Sequence, residues 1–244
     1  MRSGNPSLND KTFQGLEHSG EPMTLGGTVN KTAILMALMM ITAVFTWGTF
    51  FENRDPASIT LYMWGGIIGG LIMALITVFK KTWAPVTAPA YALLEGFAIG
   101  GISAFYEAQF PGIVIQAASL TFATLAALLM AYKTGLIKAT ENFKLGVVAA
   151  TGAIFLIYIV NMVLSFFDMP MGFIHSSGTM GIIFSLVVVT VAALNLVLDF
   201  DFIENGVEMG APKYMEWYGA FGLLVTLVWL YLEMLRLLSK LRSE

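Results

Sequence analysis

Residues 180–204 read MGIIFSLVVVTVAALNLVLDFDFIE. The apolar run from Met180 to Asp199 is long enough to cross the roughly 30 Å hydrocarbon core of a bilayer as an α-helix. It ends in three acids within six positions, Asp199, Asp201 and Glu204, and negative charge is costly at the end of a membrane span. This stretch therefore predicts a membrane-spanning helix and raises the question of what its acids do.

The composition of the whole chain agrees with a membrane protein in contact with a lipid bilayer. Of the 244 residues, 57% are hydrophobic and only 12% charged, whereas soluble domains carry about 25% charged residues. A net charge of −3 gives no basic surface for nucleic acid. With no cysteine, two histidines and no catalytic motif, we expect no enzymatic activity and no bound cofactor, leaving Ca²⁺ or H⁺ only as a transported or sensed ion.

Apolar runs of about 20 residues recur along the chain, each long enough for one helical span. Their continuity favours helices over the alternating pattern of a β-barrel. Short loops with turn residues make neighbouring spans antiparallel. We therefore predict an all-α bundle of seven transmembrane helices, with these approximate bounds: 32–51, 59–79, 86–106, 113–132, 145–167, 180–199 and 217–238.

The first 30 residues are polar and rich in Gly and Ser, and they form neither a signal peptide nor a first span. We interpret residues 1–30 as a mobile N-terminal arm and residues 31–244 as the transmembrane domain. Nine of the 13 lysines and arginines fall on the side of the N-terminus. Because basic residues are retained in the cytoplasm, we predict a multi-pass protein of the cell (inner) membrane with a cytoplasmic N-terminus.

The second span contains two overlapping pairs of small residues spaced four apart, Gly65 with Gly69 and Gly66 with Gly70. Such pairs let another helix approach closely. They predict a helix-packing face, which could serve either ordinary tight packing or sliding of one helix past another.

Helix geometry separates the tandem acids of the sixth span. Asn195 and Asp199 are four residues apart and lie on one face of the helix. Asp201 is rotated about 200° from Asp199, so the two acids point to different neighbours. Glu216 begins the seventh span at the same end of the bundle, where it could approach the acids of the sixth.

Two further groups of polar residues lie within the spans. Glu95 falls near the middle of the third span, and all 13 bases can be assigned to loops or span ends, so this acid must be protonated, hydrogen-bonded or facing a path for water or cations. Glu233 and Arg236, three residues apart, are interpreted as a surface pair. The acids as a group predict either a proton or cation site, since ionised carboxylates suit Ca²⁺, or simple markers of the membrane interface.

Five segments resemble a bacterial branch of the Bax inhibitor family: MRSGNP (1–6), TVNKT (28–32), YEAQFPGIVIQ (106–116), LDFDFIE (198–204) and EWYGAFG (216–222). The resemblance implies a seven-helix bundle with the last helix at its centre. It also implies activity as a pH-sensitive calcium leak channel whose sensor is a pair of aspartates, one at the end of span six and one within span seven.

The first aspartate of that pair corresponds to Asp199, which could also bind Ca²⁺. The second falls near Thr226, which carries no charge, and Glu216 lies ten residues earlier, about 15 Å along a helix. Asp199 could therefore work alone or with Glu95, Asp201 or Glu216.

Two functions remain open from the sequence. The first is a proton-regulated cation leak with Asp199 as its sensor. The second is a non-conducting membrane protein that regulates a membrane protease or a stress response, with the N-terminal arm as the handle for a protein partner.

Overall fold

The computed structural model describes residues 21–167, 169 and 171–243. These residues form eight α-helices: α1 (Leu25–Asn53), α2 (Ala57–Phe79), α3 (Ala84–Gln109), α4 (Ile113–Lys133), α5 (Glu141–Ser165), α6 (Gly172–His175), α7 (Thr179–Glu208) and α8 (Met215–Arg242). All but the short α6 are long and apolar enough to cross a membrane. The predicted all-α architecture with seven spans is confirmed.

The predicted spans coincide with these seven helices. Six lie wholly within one helix each, and the fifth runs two residues beyond Ser165, the end of α5. Residues 25–30, assigned to the arm by their polarity, already belong to α1, because Thr24 caps the helix by accepting a 2.9 Å hydrogen bond from Gly27 N. Residues 1–20 of the predicted arm lie outside the described residues.

Within the described residues, the chain divides into two compact units, one of residues 112–201 and 226–243 and the other of residues 21–111 and 202–225. The division falls inside α7 and α8, so each of these helices contributes to both units. The unit of residues 21–111 and 202–225 contains α1, α2, α3 and the α7–α8 turn. The other contains α4, α5, α6 and the remaining parts of α7 and α8.

Glycines bring α2 and α1 close to α3. A Cβ on Gly66 would lie 2.5 Å from Leu94 O, and one on Gly69 would lie 3.1 Å from the Leu94 side chain, so α2 packs on α3 through the predicted glycine face. Gly65 is the exception, because a Cβ there would meet nothing within 4 Å. Its prediction as a packing residue is wrong, since its Cα faces away from α3.

On its other side, α3 packs against α1 through a pair of small residues that was not predicted from the sequence. Gly96 and Gly100 are four residues apart, and a Cβ on either would collide with the α1 backbone at Met39 or Ala43. The Thr42 hydroxyl adds a 2.8 Å hydrogen bond to Leu93 O of α3. Close packing of these backbones therefore fixes α3 between α1 and α2.

In the unit of residues 112–201 and 226–243, helices α5, α7 and α8 share a core. Ile154 of α5 packs with Val188 and Val191 of α7, and Trp229 of α8 packs against this cluster. This core places the acidic end of α7 among neighbouring helices rather than in open solvent.

Candidate functional site

Asp199 on α7 is fully buried. Neither of its carboxylate oxygens meets the distance and angle requirements of a hydrogen bond within the described part of the chain. No lysine or arginine forms an ion pair with it there. Burying an ionised carboxyl costs several kcal/mol unless a partner compensates the charge, so ionisation of Asp199 requires a change in its surroundings.

Thr226 on α8 is the polar residue that faces this acid. Its hydroxyl interacts with the Asp199 side chain, and Thr226 is itself buried. This is the residue to which the family resemblance assigned the second aspartate. The structure therefore brings together the two positions that the sequence comparison paired, with one carboxyl and one hydroxyl instead of two carboxyls.

Asn195 shares the buried surface of α7 with Asp199, but its amide is used elsewhere. Its Nδ2 donates to Thr151 Oγ1 of α5 at 2.9 Å and to Val191 O at 2.8 Å. The first bond connects α7 to α5, and the second lies within α7. Asn195 is thus a packing residue beside Asp199, and the structure gives it no hydrogen bond to the carboxyl.

Asp201 points to a different neighbour, as helix geometry predicted. Its Oδ2 lies 2.7 Å from Lys144 Nζ of α5, and the Lys144 side chain is only 3% exposed. Glu141 lies 3.7 Å from the same amino group. The sequence reading placed every base in a loop or at a span end; Lys144 does lie near the start of α5, but its side chain extends inward to this acid.

Glu216, in the first turn of α8, is the best-compensated acid. Its Oε1 accepts hydrogen bonds from Thr24 N at 2.9 Å and Thr24 Oγ1 at 3.0 Å. Its Oε2 lies 2.7 Å from Lys31 Nζ, and Lys213 Nζ lies 3.3 Å from Oε1. Gly27 provides the space for the carboxylate, because a Cβ at this position would collide with it.

Glu95 is partly buried in the middle of α3. The Tyr91 hydroxyl, one turn earlier, donates a hydrogen bond to its carboxyl. A Cβ on Gly70 would lie 3.1 Å from Glu95 Oε2, so the glycine of α2 provides space for the acid. Of the alternatives open from the sequence, a hydrogen-bonded carboxyl is the one observed.

The predicted surface pair of Glu233 and Arg236 is wrong in one respect. The two side chains are paired at 2.7 Å, but Glu233 is buried. The reason is Tyr158 of α5, whose hydroxyl lies 3.0 Å from Glu233 Oε1 and whose ring packs under the Arg236 guanidinium.

Lys240, near the end of α8, is also buried. Its amino group donates to Ile174 O, Gly181 O and Ser185 Oγ at 2.7–2.9 Å. Lys240 follows Arg236 by four residues and Glu233 by seven, so a helical wheel places it on the same face of α8 as this partly buried pair, which is the signal that could have found it.

The site residues therefore fall into separate environments rather than one carboxylate cluster. Among the residues that the structure describes, no group of three or more His, Asp or Glu side chains is arranged to hold a metal ion. The prediction of Asp199 as a Ca²⁺ ligand thus has no supporting set of protein ligands within those residues.

A family model described as “Bax inhibitor 1 like” matches residues 5–243. Comparison with curated proteins gives no match, and comparison with solved structures gives none. The family match covers both units and confirms the resemblance carried by the five sequence segments.

Proposed function

The chain belongs to the Bax inhibitor 1-like family, and we propose that this multi-pass membrane protein is a cation leak channel, conducting Ca²⁺ under the control of the protonation of Asp199. The observation that supports this most directly is the environment of that one acid. Asp199 is fully buried, and no base in the described chain pairs with it.

The control follows from the charge of the carboxyl. Protonated, Asp199 can remain in its apolar surroundings beside Thr226 at little cost. When it is ionised, it is a buried charge without compensation. Hydrating this charge or pairing it with a cation is then favoured by several kcal/mol. Water and a hard cation such as Ca²⁺, which prefers oxygen ligands, satisfy that demand, so we expect greater flux as the pH rises and the carboxyl ionises.

The other acids are less suited to this role. Asp201 and Glu216 each have a lysine partner at 2.7 Å. Their ionised forms are already compensated, so deprotonation creates no demand for a new cation. Glu95 has Tyr91 as a hydrogen-bond donor. It is the second candidate for the sensor, after Asp199.

We place the protein in the bacterial inner membrane with the N-terminus in the cytoplasm. The support is the distribution of bases, nine of 13 on the side of the N-terminus. Lys144 and Lys240 are buried and so do not contribute as solvated loop charges. Removing one from each side leaves eight against three, and the bias persists.

The non-conducting alternative depends on the N-terminal arm, of which residues 1–20 lie outside the described residues. Binding of a protease or another protein partner by that arm stays a prediction, as does the absence of enzymatic activity. The environment of Asp199 favours conduction over this alternative, because an unpaired buried acid has no evident use in a purely structural bundle.

A flux assay in proteoliposomes tests the proposal. Purified protein is reconstituted with a Ca²⁺ indicator inside the vesicles, and Ca²⁺ entry is measured from pH 5 to pH 9. We expect wild-type flux to rise with pH and Asp199→Asn to give a flux that does not vary with pH. Asp201→Asn, two residues away, is the matched control and should retain the pH dependence. A pH dependence unchanged in Asp199→Asn would refute the role of Asp199.

A further inference from the structure

Residues 21–24, here called the N-terminal strap, connect the start of α1 to the turn between α7 and α8. Met23 N donates to Ala211 O at 2.7 Å, and Lys213 N donates to Glu21 O at 3.1 Å. Between these bonds, Pro22 and Pro212 form an antiparallel bridge. Met23 and Ala211 are both buried. The strap is thus paired with the turn through its backbone and covered by its neighbours.

Glu216 extends this connection into the first turn of α8. Its carboxylate accepts both the backbone and the side-chain hydrogen bonds of Thr24, the capping residue of α1. It also pairs with Lys31, two turns further along α1, and the Lys31 amino group lies 5.6 Å from the ring centre of Trp217. Backbone bonds, an ion pair and a cation–π contact therefore converge on one helix start.

The α7–α8 turn is a connection of mechanical interest. It covalently joins α7, which carries Asp199, to α8, which carries Thr226. Any rearrangement that separates the Asp199 carboxyl from Thr226 by sliding or tilting one helix against the other must be accommodated at the turn or within the helices. The strap restrains the turn, since Glu21 and Met23 are hydrogen-bonded to residues 211 and 213.

We propose that the N-terminal strap is a restraint on gating: conduction requires the strap to separate from the α7–α8 turn. This inference rests on the proposed function, and it assigns to Glu216 and Thr24 the role of positioning residues that hold α8 in the non-conducting arrangement. It also gives residues 1–20 a route of influence, since they continue directly into the strap.

The bridge between Pro22 and Pro212 offers a direct test. The flanking hydrogen bonds make it a non-hydrogen-bonded pair, whose Cα atoms lie about 4.5 Å apart in antiparallel structure, within the range that a disulfide spans. Neither backbone nitrogen is needed for pairing, so both prolines can be replaced. The chain has no cysteine, so Pro22→Cys with Pro212→Cys forms a single disulfide that can be reduced again.

The experiment measures Ca²⁺ entry into proteoliposomes at high pH before and after reduction of this disulfide. We expect the oxidised protein to conduct at least tenfold less than the reduced protein, and reduction to restore the wild-type rate. The matched control is Thr77→Cys with Thr87→Cys, at two buried hydroxyls 2.7 Å apart that connect α2 and α3. Its oxidation should leave the flux unchanged.

The outcomes separate the two proposals. If wild-type and reduced proteins conduct but oxidation of the strap changes nothing, or if the disulfide does not form, the strap inference is wrong and the proposed function stands. Equal inhibition by the control disulfide also contradicts it. If none of the proteins conducts, the proposed function itself is wrong, and the gating role of the strap is wrong with it.

A second variant works in the opposite direction. Thr24→Ala removes both side-chain hydrogen bonds of Thr24, to Glu216 and to Gly27, while leaving the backbone pairing of the strap intact. We expect a severalfold higher flux at neutral pH from a protein that remains monodisperse in detergent. A flux equal to or below that of wild type contradicts the restraint.

Discussion

Asp199 and Glu216 are both fully buried acids, yet their surroundings are opposite. Glu216 has two hydrogen bonds from Thr24 and two lysines within 3.3 Å. Among the described residues, Asp199 has no basic partner and no hydrogen bond with full distance and angle geometry. The difference teaches that burial alone does not identify a functional carboxyl. A compensated acid holds helices together, whereas an uncompensated one makes its own ionisation a structural event.

The largest expected effect comes from removing the compensated acid. Glu216→Ala leaves Lys31 without its partner and two Thr24 donors unsatisfied. Breaking a buried ion pair costs 3–5 kcal/mol, and because Lys31 and Lys213 are partly exposed, we expect the free energy of unfolding to fall by about 2–3 kcal/mol. Denaturant titration in detergent micelles measures this change.

Glu21→Ala is the control for that comparison. Glu21 pairs with the same Lys213 at 3.6 Å, but its side chain is 84% exposed, and exposed pairs contribute little. We expect no measurable loss of stability. Equal losses in Glu21→Ala and Glu216→Ala would show that the buried network of Glu216 does not stabilise the helix start.

A smaller effect is expected at the end of α7, where two neighbouring acids can be compared directly. Asp201→Asn removes the ion pair with buried Lys144 and should cost about 1–2 kcal/mol of unfolding free energy. Asp199→Asn removes no full hydrogen bond and no ion pair, so we expect a change below about 1 kcal/mol. The same denaturant titration checks both variants, and the reverse order would contradict the assigned environments.

Much of the fold could be predicted because it depends on properties read along the chain. Span lengths identified all seven described helices that are long enough to cross a membrane. A rotation of about 100° per residue separated Asp199 from Asp201. The family resemblance also indicated a position near Thr226 on α8, and Thr226 lies beside Asp199 in the structure. These conclusions need only local periodicity or a family pattern.

The partners of the acids could not be predicted, because they depend on which faces of distant helices meet. Lys31 and Glu216 lie at opposite ends of the chain, and nothing in their local sequence indicates a pair. Lys144 and Lys240 stand at helix ends, where solvation is the ordinary expectation, but their flexible side chains extend inward to Asp201 and to backbone carbonyls.

Infrared difference spectroscopy of the protein in lipid, recorded between acidic and alkaline pH, tests the central claim most directly. It detects the carbonyl stretch of a protonated carboxylic acid as that group ionises. We predict that Asp199→Asn removes one component of this band, while Glu216→Gln and Asp201→Asn retain it, because those two acids are paired with lysines. A band unchanged in Asp199→Asn and lost in Glu216→Gln would contradict the assignment of Asp199 as the acid that titrates.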